Sequence, residues 1–203
     1  MQPDILQDVS RESLEKLKAY HQLLLKWQKA INLVSKNTLD DAWNRHFVDS
    51  VHVAQYISPH VRVLADIGSG GGFPGLVLAM LRPDLEIHLI ESDERKCQFL
   101  RTVSRETETP VNIHTLRVED MPSDFTPDCV SARALADLTL LLDYCAPWAQ
   151  RNPQLEALFM KGARAEEEIA QSTERYAFHS QSYPSATDKQ AVILKISEIS
   201  LRN

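Results

Sequence analysis

The chain has 203 residues, enough for one domain with a real core, and its apolar and charged fractions are those of an ordinary soluble globular protein. No apolar run approaches the roughly 20 residues that a bilayer crossing needs, and the polar stretch 1–18 lacks a signal-peptide apolar region, so a cytoplasmic protein without a membrane partner is expected. A formal net charge of −6 argues against tight non-specific binding of naked nucleic acid, so any such contact needs a local basic patch.

Leu14, Leu17, Tyr20, Leu24, Trp27 and Ile31 recur at steps of three and four, which predicts a helix over 10–31 with Ser10 as its N-cap and Glu12 in its first turn. Residues 32–37 read as a polar break. A second helix is expected from Thr38, with Asp41 three residues on in a capping-box arrangement, running through Phe47, Val51 and Ala54 to about Ile57. Ser58-Pro59 should stop it. Residues 1–60 thus read as an N-terminal helical cap packed on a core domain of 61–203, as one structural unit.

From Val61 the pattern changes to short apolar runs alternating with helical stretches, the mark of βαβ units and a mostly parallel sheet. Strands are expected near 62–67, 86–91, 111–116, 128–131, 155–160, 176–182 and 190–197, with helices over 75–82, 93–106, 135–149 and 163–174. The link at 183–188 is too short for a helical crossover, so the last two strands should form an antiparallel hairpin. An α/β, Rossmann-like chain with seven strands ending in a hairpin follows the plan of the class I S-adenosylmethionine-dependent methyltransferases. Cys97, Cys129 and Cys145 are odd in number and far apart, so buried, reduced thiols are expected, with no disulfide framework and no metal site.

The most informative stretch is Asp66-Ile67-Gly68-Ser69-Gly70-Gly71-Gly72-Phe73-Pro74-Gly75, where five of the six glycines stand between a predicted strand and helix. Such a turn brings backbone N–H groups and a helix N-terminus close to a ligand. There is no Gly-Lys-Ser/Thr, which excludes a P-loop, and Phe73 occupies the place where a dinucleotide fingerprint needs glycine or alanine. The pattern Asp66-x-Gly68-x-Gly70-x-Gly72 instead looks like a methyltransferase loop, with Gly70 where any larger side chain would intrude on the cofactor. Glu91 ends the second strand 23 positions after Gly68, at a spacing that lets a carboxylate accept from ribose hydroxyls. S-adenosylmethionine is the expected cofactor. As for the acceptor, none of the cysteines lies in a Pro-Cys loop, and the stretch after the fourth strand, Val130-Ser131-Ala132-Arg133-Ala134, lacks the Asn/Asp-Pro-Pro-aromatic tetrad used on exocyclic amines. A ring nitrogen such as guanine N7 has a free lone pair and no proton to lose, so it fits a site without an obvious catalytic residue.

Several further stretches resemble one family, the small-subunit ribosomal RNA guanine-N7 methyltransferases known as RsmG or GidB. They are Trp27-Gln28-Lys29-Ala30-Ile31-Asn32-Leu33-Val34-Ser35, Arg45-His46-Phe47-Val48-Asp49-Ser50, the glycine loop, Lys96-Cys97-Gln98-Phe99-Leu100, Arg117-Val118-Glu119-Asp120, Ser131-Ala132-Arg133-Ala134 and Lys161-Gly162. The resemblance spans about residues 20–165, and its Asn-Leu and Arg-His-x-x-Asp-Ser pieces lie outside the generic cofactor motif. It implies methyl transfer to N7 of one guanosine in 16S rRNA of the small ribosomal subunit. It also implies that Gly68 and Phe73 line the cofactor, Glu91 holds its ribose, Val118 and Glu119 border the adenine, and Arg133 closes the site near the methyl as the catalytic residue. The Ser-Ala-Arg order departs from the Ser-Arg-Ala of many members.

Asn32, Arg45, His46, Asp49 and Ser50 fall where the cap should meet the cofactor mouth, and substrate binding is expected of them. His46, Asp49 and Ser50 do not read as a hydrolase triad, since no strand–nucleophile–helix context surrounds Ser50. Lys161, at the end of the fifth strand, is expected to reach a phosphate. The first 60 residues hold seven Lys/Arg and seven Asp/Glu, so the −6 belongs to the core domain. That predicts an assembled ribosomal particle as the preferred substrate; separately, no DNA partner and a monomeric enzyme are expected. The alternatives are a small-molecule methyltransferase, a non-catalytic nucleoside-sensing module and, more distantly, a nicotinamide oxidoreductase.

Overall fold

Seven strands, β1 (Val63–Ile67), β2 (Glu86–Ile90), β3 (Asn112–His114), β4 (Cys129–Arg133), β5 (Glu156–Lys161), β6 (Tyr176–Pro184) and β7 (Val192–Leu201), make one sheet in the computed structural model, which describes residues 5–202. Their order is β3-β2-β1-β4-β5-β7-β6. β1 pairs in parallel with both β2 and β4, so the winding reverses direction beside β1. In such sheets the crevice beyond the carboxyl ends of the strands at the reversal is where ligands bind. β7 runs antiparallel to β5 and β6. The seven strands and the terminal hairpin are those expected from the sequence, although the hairpin turn occupies 185–191 and β4 continues to Arg133.

Among the described residues, six α-helices accompany the sheet: α1 (Arg11–Trp27), α2 (Asp49–Val53), α3 (Gly75–Leu81), α4 (Glu94–Glu106), α5 (Leu138–Arg151) and α6 (Ala165–Ser172). Alternation along each strand divides the core in two. Leu64, Cys129 and Leu158 face one side, where Leu17, Tyr20 and Leu24 of α1 pack with Phe47, Leu76 and Phe99. Ala65, Val130 and Phe159 face the other, against Leu141, Leu142 and Trp148 of α5. The cap therefore shares a continuous apolar cluster with α3 and α4. All three cysteines are free and buried. Among the described residues no helix is long and apolar enough to cross a membrane.

Two boundaries in the cap differ from expectation. Ser10 caps α1, accepting from Ser13 N at 3.0 Å, but the helix stops at Trp27 instead of Ile31. The Gln28 side chain diverts the chain: Oε1 accepts from Leu33 N (2.9 Å) and Val34 N (3.0 Å), and Nε2 donates to Val34 O (2.8 Å). A side chain that satisfies nearby backbone competes with helix continuation. Ile31 kept its place in the periodicity because the loop still buries it. The second helix does not start at Thr38, which ends a single 3₁₀ turn, Lys36–Thr38. A wide π-helical turn, Trp43–Val48, leads into α2, and a 3₁₀ turn, Ala54–Tyr56, ends at extended Ile57. Thr38 Oγ1 donates to Ser35 O (2.9 Å) and meets the His46 ring (2.8 Å), so it caps no helix.

Candidate functional site

The turn after β1 is held from three directions. Ser69 Oγ donates to Asp66 O (2.8 Å), and Ser69 N donates to Ile90 O (3.1 Å). Glu91, just past β2, accepts Gly70 N on Oε2 (2.9 Å) and Asp93 N on Oε1 (2.8 Å), so one carboxylate orders both the glycine loop and the approach to α4. From the cap, the Tyr20 hydroxyl donates to Gly71 O. Its ring stacks on Phe73 at 5.2 Å and meets Phe47 edge-on at 4.8 Å. Gly72 has φ +91°, and a Cβ there would lie 2.5 Å from the Tyr20 oxygen and 2.7 Å from a Leu76 methyl. Only glycine lets the tyrosine seat. Beneath the turn, Asp66 is fully buried and accepts from Ser131 Oγ at 2.6 Å. Burial raises its pKa to about 6, against the lowering effect of that hydrogen bond.

Over the loop lies a cleft of about 410 Å³ whose walls include Gly68, Gly70, Phe73, Glu91, Val118, Glu119 and Arg133. These seven residues are the predicted cofactor set, brought together by the ends of β1, β2 and β4 and by the 3₁₀ turn Val118–Asp120. Leu116, Leu135 and Tyr144 also line it.

A second cleft, of about 480 Å³, contains Arg45, Asp49 and Lys161 and shares Arg133, Ala134 and Leu135 with the first. The common wall sits at a sharp exit from β4, where Ala134 adopts φ +51°. A non-glycine residue in that region stores strain and is found disproportionately at functional sites. The Arg133 guanidinium lies 5.9 Å from the centre of the Phe73 ring, and its buried Nη1 has no hydrogen-bond partner among the described residues. Burial lowers its pKa to about 10, opposed by the Asp49 charge and reinforced by Arg45, so it stays cationic at neutral pH.

His46 is buried at the first cleft. Because Thr38 Oγ1 gives its own proton to Ser35 O, the ring Nε2–H supplies the 2.8 Å contact, which leaves Nδ1 as an unpartnered acceptor. Burial first, then Arg133 and Arg45, depress its pKa to about 3. It is a neutral imidazole and a weak base. Asp49 accepts from Ser185 Oγ at 2.8 Å, and Arg45 pairs with Asp188 at 2.9 Å, so both are tied to the β6–β7 turn.

Three further predicted substrate residues have these surroundings. Ser50 is fully buried and donates to His46 O at 2.6 Å, within the helix. Lys161 lines the second cleft with its ammonium engaged, 2.6 Å from Glu168 and donating to Ala136 O at 2.8 Å. Asn32 is exposed in a separate groove beside the first cleft. Sequence reasoning missed Tyr20, read only as one apolar position of a helix face, and it missed Ser185 and Asp188. Their signal is the short run Ser185-Ala186-Thr187-Asp188, in which Ser185 Oγ accepts both Thr187 N and Asp188 N at 3.1 Å. Among the described residues, no group of three or more His, Cys, Asp or Glu could hold a metal ion.

The chain is similar to known proteins in both sequence and fold. The family described as GidB, rRNA small subunit methyltransferase G, matches residues 13–194. A protein of Rhodospirillum centenum named ribosomal RNA small subunit methyltransferase G is 47% identical over 194 residues, covering 96% of this chain and 88% of its own. One of the same name from Paramagnetospirillum magneticum is 46% identical, covering 95% and 92%. Among solved structures, magnesium protoporphyrin IX methyltransferase from Synechocystis with bound SAM superposes with a TM-score of 0.59 at 12% identity, covering 97% of this chain and 99% of that one. That likeness shows the class I methyltransferase fold.

Proposed function

Since the chain belongs to the rRNA small subunit methyltransferase G family and is an enzyme of rRNA methylation that uses S-adenosylmethionine, we propose that the acceptor is N7 of a guanine in small-subunit rRNA, received through the second cleft. The observation that carries this reading is the wall common to the two clefts, Arg133–Ala134–Leu135, because methyl transfer needs a cofactor pocket and an acceptor pocket that meet at one point.

The first cleft fits the cofactor. Its volume lies in the ordinary range for small-molecule sites. Glu91 stands at the end of β2 for ribose hydroxyls, Leu116 and Val118 offer apolar sides to a ring, and Gly68 and Gly70 keep the floor low. When bound, S-adenosylmethionine supplies an electrophilic methyl carbon. The chain's part is to position and exclude water: Phe73 and Leu135 wall the junction, and Arg133 offers a free N–H there to an oxygen of either ligand. Guanine N7 loses no proton, so the reaction asks for no strong general base, and the near-permanent neutrality of His46 is compatible with that demand.

The decisive experiment compares small-subunit rRNA from cells with and without this chain, by nucleoside mass spectrometry and by aniline cleavage at 7-methylguanosine. One 7-methylguanosine should disappear and return when purified protein and S-adenosylmethionine are added. Retention of every such nucleoside in the deleted strain would overturn the assignment.

A further inference from the structure

Beside the cofactor cleft runs a groove of about 430 Å³ between the loop after α1 and the start of α4, lined by Lys29, Asn32, Lys36, Asp93, Arg95 and Lys96. Four cations face one carboxylate there, on a chain whose overall charge is −6. The Asp93 carboxylate is already committed, capping α4 by accepting Arg95 N (2.8 Å) and Lys96 N (3.3 Å). Among the described residues, Lys29, Lys36 and Lys96 make no ion pair, and the Arg95 guanidinium donates to a backbone oxygen, Ala30 O, at 2.9 Å.

Stability does not explain the arrangement. Cations in the first turn of a helix oppose its dipole, whose positive end here adds to the charge of Arg95 and Lys96. The cations are also not on a loose tether. The Gln28 side chain clamps the loop through Leu33 and Val34, and Arg95 ties the loop to α4, so Lys29 and Lys36 are displayed from fixed backbone. The groove contains no aromatic anchor of the kind that dominates protein interfaces. Finally, Lys96 lines both this groove and the cofactor cleft.

We propose that this groove binds the phosphate backbone of the RNA strand that presents the target base, with Lys29 and Lys36 as phosphate contacts. This rests on the RNA reading of the site and deepens it. The basic patch that an acidic protein needs in order to hold RNA is here, and Asn32 belongs to it.

The test is the double variant Lys29→Gln/Lys36→Gln, assayed on purified small ribosomal subunits from cells lacking the chain, at several salt concentrations. Expected are a KM for the particles raised about tenfold, an unchanged kcat, unchanged S-adenosylmethionine affinity by calorimetry, and a plot of log affinity against log salt shallower by about 1.4–1.8, as the loss of two phosphate contacts requires. Unchanged KM and salt slope would overturn the groove while leaving the methylation reading intact. Weakened cofactor binding in the variant would also overturn it, by making the lysines part of the cofactor site. If the parent transfers no methyl yet binds particles with a salt dependence the variant lacks, the groove stands and the reaction assigned above falls. If the parent neither methylates nor binds, both fall.

Discussion

Ser185 Oγ donates to Asp49 Oδ1 at 2.8 Å, joining the helical cap to the C-terminal hairpin across a gap of 136 residues. The Arg45–Asp188 pair repeats the tie on the same hairpin turn. Together they fix one side of the second cleft, and they hold the Asp49 carboxylate where its charge favours the Arg133 cation. Ser185→Ala should therefore cost about 1 kcal/mol of stability and raise the KM for rRNA, with cofactor affinity intact. Asp49→Asn keeps an acceptor for Ser185 but removes the charge, so it should lower kcat more than stability. Melting curves and steady-state methylation separate the two, and a Ser185→Ala enzyme with parental KM would count against the hairpin's role in the cleft.

Arg133 carries the junction of the two clefts, and its Nη1 has no acceptor among the described residues. Arg133→Ala should lower kcat on the order of 10²-fold, the usual effect of removing one preorganised donor, while thermal stability stays near parental. Arg133→Lys should recover only part of the rate, since an ammonium lacks the planar fork. A largely unfolded Arg133→Ala protein would make the residue structural.

Two glycines of the loop should respond differently. Gly72→Ala forces a Cβ against the Tyr20 oxygen and Leu76 at φ +91°, and about 1–3 kcal/mol of stability should be lost. At Gly70, φ is +53° but the nearest neighbour of a Cβ is Gly68 O at 3.7 Å, so the space is open. Gly70→Val should fold with a smaller loss, about 1–2 kcal/mol of backbone strain, yet fail to bind S-adenosylmethionine. Calorimetry on the folded variant decides it, and full affinity would remove Gly70 from the cofactor site.

Acid should act through His46 and Asp66 with opposite signs. The His46 pKa falls from 6.5 in the unfolded chain to about 3, so the unfolded state binds the extra proton between those values, and stability is lost as pH falls below about 6.5. The Asp66 pKa rises from 3.8 to about 6, so the folded state binds the extra proton in that window, and stability is lost as pH rises through it. His46→Gln removes the first effect alone. Its melting temperature should fall less steeply than the parent's from pH 6.5 to 4. Parallel profiles would contradict the burial of a neutral His46.

The acidic stretch 61–203 and the basic groove also bear on the form of the substrate. Methylation of assembled small subunits should outpace that of protein-free 16S rRNA, because an overall negative protein gains from protein and shape contacts beyond phosphate. Equal initial rates on the two would refute this.

The parts legible in the sequence were those written in local pattern. The glycine loop, Glu91 and the strand alternation depend on neighbours close in sequence, and Gly68, Gly70, Phe73 and Glu91 line one cleft with Val118, Glu119 and Arg133, which only the family resemblance supplied. The early end of the first helix has a local cause of another kind, the Gln28 side chain, which leaves hydrophobic periodicity unchanged while ending the helix. The second cleft was only partly legible. Ser185 and Asp188 act on residues far away in the chain, and Lys161, placed at a strand end where solvent is usual, finds Glu168 of the following helix waiting for it. Ser50 lies in a conspicuous motif, yet its buried hydroxyl donates within the helix to His46 O.

The hydrogen bond from Tyr20 to Gly71 O has a consequence for how the molecule breathes. The first helix and the glycine turn cannot open independently, since a phenol whose ionisation burial and Asp66 oppose must give up its acceptor whenever either moves. Occupancy of the turn and order in the helix then share one coupling free energy, and thermodynamic reciprocity makes each tighten the other by the same factor. The first helix, none of whose residues lines the cofactor cleft, would thus help set how tightly the cofactor is held.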